Sequence, residues 1–79
     1  MKNFDGIKVR EGYEMMMFMK PKYGNYYIAI IHREAVDDYV FATGYDVTDG
    51  SWGQGHYCTT YAQAIDLMVE YLRKRGVVR

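Results

Sequence analysis

Residues 55–76, GHYCTTYAQAIDLMVEYLRKRG, read as the end of a strand, a capped turn and a helix, and the rest of the chain must arrange itself around them. Thr60 has the side chain of an N-cap, and Gln63 three residues later completes a capping-box pattern. Tyr61, Ile65, Met68 and Leu72 follow at i, i+4, i+7 and i+11, which puts them on one side of a helix. Arg73, Lys74 and Arg75 fall in the last turn, where cations meet the negative end of the helix dipole. Gly76 suits the left-handed position just beyond it. A helix over about 60–75 is therefore expected. Isolated, a helix of this length does not persist in water; laid on a sheet, each stripe residue contributes roughly 1.5–3 kcal/mol.

The residues upstream supply that sheet. Tyr13–Lys20, YEMMMFMK, is almost continuously apolar, and its length, its aromatic residues and the turn signal after it favour a strand over a short helix. Lys20–Asn25, KPKYGN, has the Pro and Gly–Asn of a hairpin loop. Tyr26 to His32 or Arg33 forms a second strand, Arg33–Asp38 a turn, and Tyr39–Tyr45 a third strand. Asp46–Gly55, DVTDGSWGQG, is irregular, and His56–Cys58 is a short fourth strand that feeds the helix. Residues 1–12 read as a loose arm or a short edge strand. The expected fold is α+β: one small domain, an antiparallel meander of three to four strands with one C-terminal helix packed on one face.

Composition narrows the class of function. Ten basic and ten acidic residues give a formal charge of zero, which lacks the electrostatic footprint of a nucleic-acid or membrane-surface binder. A single cysteine, Cys58, forms no internal disulfide, no apolar run approaches a membrane span, and a soluble, cytoplasmic protein is expected. No metal or other cofactor is expected, and no catalytic residue is assigned.

One feature of the strands points to a partner. Tyr13, Met15, Met17 and Met19 alternate with Met16 and Phe18; Tyr26, Ile28 and Ile30 alternate with Tyr27, Ala29 and Ile31; Tyr39, Phe41 and Tyr45 oppose Val40 and Ala42. Both faces are thus apolar, whereas a half-exposed antiparallel sheet alternates apolar with polar. One helix covers one face. A second copy is the first expectation for the other face, a different protein the second, and the N-terminal arm folded over it the third. The candidate partner-binding residues are Tyr13, Met15, Met17, Tyr27, Tyr39, Phe41, Tyr45 and Trp52, in a chain with nine tyrosines, a residue enriched at interfaces.

Ser51–Tyr57, SWGQGHY, holds the only tryptophan between glycines and presents an indole, an amide and an imidazole, so Trp52, Gln54 and His56 are candidate ligand-binding residues. His56 and Cys58 alternate, so both belong to one side of a strand; a thiol–imidazole pair or a metal site needs that proximity, and zinc needs two further ligands. Neither CxxC nor HxxxH spacing is present, and Asp37–Asp38 sits in a turn, where Asp belongs.

Two segments, Gly24–Ile31 (GNYYIAII) and Gly55–Leu72 (GHYCTTYAQAIDLMVEYL), resemble the second strand and the last strand and helix of AP2-like and integrase amino-terminal DNA-binding domains. That resemblance implies a three-stranded sheet backed by one C-terminal helix, with the sheet face in the major groove. The family reads DNA with Arg, Lys and Trp from its strands, and these strands carry Tyr, Met and Ile instead. The short, Tyr-rich chain with its WGQGHY stretch also looks like small phage and mobile-element proteins of Gram-positive bacteria, which implies an accessory protein that inhibits a host protein. The expected function is a non-enzymatic protein–protein interaction module, homodimeric, with a sheet-face DNA binder as the alternative. A small-ligand or metal site around Trp52, His56 and Cys58 ranks third.

Overall fold

Strand pairing follows from the β-branched and aromatic runs. In the computed structural model, which describes the backbone of residues 2–4 and residues 6–20 and 26–75 in full, six strands precede one helix. They are β1 (Lys2–Phe4), β2 (Ile7–Val9), β3 (Tyr13–Met19), β4 (Ile28–Arg33), β5 (Asp38–Thr43) and β6 (Gln54–Cys58), and the helix is α1 (Tyr61–Lys74). Strands β3-β4-β5-β6 form an antiparallel sheet in chain order, and β1 and β2 pair as a separate antiparallel ribbon. The fold is α+β as expected, and residues 1–12 contain this ribbon rather than a loose arm. The hairpin loop expected over Lys20–Asn25 lies, from residue 21 on, outside the described residues, as does Gly76.

The helix starts where the capping pattern puts it. Thr60 is the N-cap, and its hydroxyl accepts the Gln63 N–H at 3.2 Å. Gln63 in turn accepts the Thr59 N–H at 2.9 Å, one residue before the cap itself. Leu72 is buried as the stripe requires, and Ala64, beside that stripe, is fully buried while Tyr61, Ile65 and Met68 are only half-buried. A residue without a long side chain lets the helix backbone come near, so α1 settles chiefly over β5 and β6.

The two faces are not built as simple alternation implies. In β3 the register steps from Met15 opposite Ile31 to Met17 opposite Ile30, so Met16 is an extra residue in a bulge. Parity reverses there: Met15 stays on the face away from the helix, and Met17 and Met19 pass to the helix side. Tyr45, expected on the side of Tyr39 and Phe41, lies beyond the end of β5 and is buried on the opposite face. Under the helix, Ile28, Ile30, Phe41, Cys58, Ala64 and Leu72 are buried together. On the other face Met15, Ala29, Ile31, Val40 and Ala42 are buried beneath Val9 of the ribbon and Tyr45, with Val47 and Trp52 packed beside them.

The ribbon and the 44–53 loop are tied to each other over that face. The Tyr45 hydroxyl donates to the Lys8 carbonyl at 2.8 Å. Gly50, at φ +72°, passes so close to Lys8 that a Cβ would stand 3.1 Å from its carbonyl oxygen. Two carboxylates shape the loop: Asp46 accepts from the Thr48 amide and hydroxyl at 2.8 and 2.6 Å, and Asp49 accepts the Ser51 amide at 2.9 Å. The apolar surplus that pointed to a second copy is therefore taken up by the chain's own ribbon and loop.

Candidate functional site

Period-2 alternation carries Ile31 and Arg33 to the face away from the helix, and with them Val40 and Tyr57 on the strands beyond. Arg33 stands opposite Tyr13 on one side and Asp38 on the other. Its guanidinium donates to both Asp38 carboxylate oxygens, at 2.7 and 2.5 Å, and its Cζ lies 4.6 Å from the centre of the Tyr57 ring. This paired geometry holds the Asp38 carboxyl below the usual carboxylate range, the hydrogen bond from Arg33 being the largest cause.

Trp52 completes the cluster. Its indole lies over Gly55, where a Cβ would come within 2.7 Å of Nε1, so the glycine is the seat of the ring. Tyr13 is 5.7 Å away, centre to centre, and the Arg10 guanidinium stands 5.5 Å from the indole centre. Arg10, Tyr13, Arg33, Trp52 and Tyr57 thus form one continuous surface of rings and guanidinium groups, with Tyr57 60% exposed. Trp, Tyr and Arg are the residues that concentrate binding energy in protein interfaces, because each offers a large rigid contact area with a polar tip.

The sequence-derived partner residues divide between places. Tyr13 and Trp52 meet in this cluster. Met15, Phe41 and Tyr45 are buried and serve the core. Met17 and Tyr39 pack half-buried on the helix side, and Tyr27 stacks on Phe18 at 5.3 Å. Arg10, Arg33 and Tyr57 escaped the sequence reading. For the last two a signal existed, since Ile31/Arg33 and Gly55/Tyr57 are period-2 neighbours; for Arg10 there was none.

Trp52, Gln54 and His56 do not converge. Trp52 faces the ribbon side, whereas the His56 ring stacks on Phe41 at 6.0 Å on the helix side, and Gln54 is exposed opposite Thr43. His56 borders a shallow hollow of about 150 Å³ with Phe41, Leu67, Glu70, Tyr71 and Lys74. Cys58 is buried and its thiol points to the His56 carbonyl at 3.7 Å, not to the imidazole. Burial, reinforced by the charge of Asp38, pushes that thiol up, the direction that suppresses thiolate chemistry. Among the described residues no group of three or more His, Cys, Asp or Glu side chains is placed to hold a metal ion. Nor is any described helix long and apolar enough to cross a membrane.

Comparison with protein-family models, with curated proteins and with solved structures finds no match to this chain.

Proposed function

We propose that this protein is a non-enzymatic interaction module whose contact surface is the cluster of Arg10, Tyr13, Arg33, Trp52 and Tyr57. The observation that carries the reading is the placement of the only tryptophan: it stands half-exposed on a glycine seat, 5.5 Å from an arginine and 5.7 Å from a tyrosine, and that tyrosine is the cross-strand neighbour of the arginine stacked on Tyr57. Rings held this way lose little freedom on binding, which favours contact with another protein. A module of this kind acts by occupying its partner's surface. Inhibition of a host protein, implied by the resemblance to phage and mobile-element proteins, is an activity of that sort. The sheet face on which the DNA-binding alternative depends is occupied here by Val9, Tyr45 and Trp52.

A photo-reactive amino acid in place of Tyr57, with the same group in place of exposed Gln63 as control, tests the reading in cells of the source organism. Protein cross-links from position 57 and none from 63 are expected. Their absence from 57, or equal yields from both, overturns it. Retention of mixed-sequence DNA at low salt, falling steeply as salt rises, favours the nucleic-acid alternative instead.

A further inference from the structure

The central sheet has two edges, and they differ. β3 is interrupted by the Met16 bulge, carries Glu14 and is followed by Lys20, all devices that discourage pairing with another strand. β6 has none of them. It pairs with β5 over five residues without a break in register, and from Gly50 to Ile65 no residue is Asp, Glu, Lys, Arg or Pro. An edge strand presents a row of backbone N–H and C=O groups, and the ligand such a row fits is another extended strand.

We propose that β6 is a pairing edge and that its occupant is β6 of a second copy, running antiparallel with the two His56 residues facing each other across the two-fold axis. Self-complementarity selects the second copy. In this register Tyr57 stands opposite Gly55 of the other chain, and Gly55 is the one residue of β6 with no side chain to oppose it. The indole seated over Gly55 then receives the incoming tyrosine ring, an aromatic–glycine arrangement that fixes register across a strand pair. Tyr57, 60% exposed in the single chain, then stands at the seam where the two contact surfaces meet. The formal charge of zero imposes no net repulsion between copies. The two clusters of Arg10, Tyr13, Arg33, Trp52 and Tyr57 join into one surface, so the inference rests on the interaction-module reading and extends it.

Sedimentation of the full chain from micromolar to millimolar concentration, with amide exchange followed at both ends of the range, tests the pairing. A monomer–dimer equilibrium is expected, insensitive to salt, with β6 amides slowed only in the dimer. His56→Lys places two ammonium groups opposite each other and weakens association by about fivefold, while Met16→Lys on the other edge leaves it unchanged. A monomer at every concentration overturns the proposal. So does a dimer whose β6 amides exchange as fast as the monomer's, and this readout uses the unsubstituted chain and does not depend on how any variant folds. Cross-links from position 57 to a different protein, together with a monomeric mass, leave the interaction-module reading standing and remove the edge pairing alone.

Discussion

The two faces of one sheet are closed by opposite means. On one, a regular helix delivers Ala64 and Leu72 onto Ile28, Ile30 and Phe41. On the other, a two-stranded ribbon and an irregular loop deliver Val9 and Tyr45 onto Ala29, Ile31, Val40 and Ala42. Both bury their residues almost completely, yet the first is a continuous hydrogen-bonded rod and the second is held by a few specific contacts, chiefly Tyr45 to Lys8 and the close pass of Gly50. Similar burial therefore does not mean similar cooperativity: the helix side should open only with the whole molecule, the ribbon side also by itself.

The largest expected break comes from Phe41→Ala. Phe41 is buried among Ile28, Ile30 and Tyr71, and its removal should cost about 3–5 kcal/mol in urea unfolding with all amides exposed together. A loss under about 1 kcal/mol would mean that the helix side repacks freely and that the contrast between faces is misplaced.

Gly50→Ala sharpens the contrast from the other side. A side chain at φ +72° facing the Lys8 carbonyl should cost about 1–3 kcal/mol, with amide exchange quickened at residues 7–9 and not in the helix. Uniformly faster exchange would show that ribbon and helix open as one unit.

Two milder substitutions then separate the faces one bond at a time. Tyr45→Phe deletes only the hydroxyl that donates to Lys8 and should cost about 1 kcal/mol, read as local loosening of the ribbon. Thr60→Ala deletes the cap of the helix for about the same cost, read as fraying at Tyr61–Ala64. Exchange maps that do not differ between the two would remove the distinction.

Titration gives the smallest effect. Asp38, depressed in the folded state by Arg33, binds its proton less readily than in the unfolded chain, so its contribution to stability is present above the unfolded value of about 4 and is lost as pH falls through the folded one. The pair is part-exposed, and the loss should be at most about 1 kcal/mol, absent in Asp38→Asn. Cys58 acts in the alkaline range with the opposite sign: held protonated by burial, it loses ground to the unfolded chain, which ionises above about pH 8.5, and stability falls from there.

Much of this architecture was legible in local chemistry. Thr60 and Gln63 announced the helix start, and the apolar repeat announced its length, because a cap and a 3.6-residue period are properties of neighbours in the chain. The polar run Arg33–Asp38 marked a turn, and it is one: Glu34–Asp37, with Asp37 in the left-handed region that Asp tolerates. The Met16 bulge was hidden because YEMMMFM is apolar at nearly every position, so a parity reversal leaves the pattern unchanged. Trp52, Gln54 and His56 fall two apart, a spacing that would put them on one face of a strand, but β6 begins only at Gln54, and Trp52 in the loop before it turns to the ribbon side while His56 stays on the helix side.

The chain's own order of residues thus determined the strand and helix segments, the capped start and the amphipathic axis, all of which depend on interactions within a few positions. Tertiary structure alone decided what closes the second face and which rings gather at the surface. Arg10, Tyr13, Arg33, Trp52 and Tyr57 come from five separate places, and no local pattern encodes a meeting that exists only once the β2–β3 turn, β3, β4, β6 and the loop before β6 have been brought side by side.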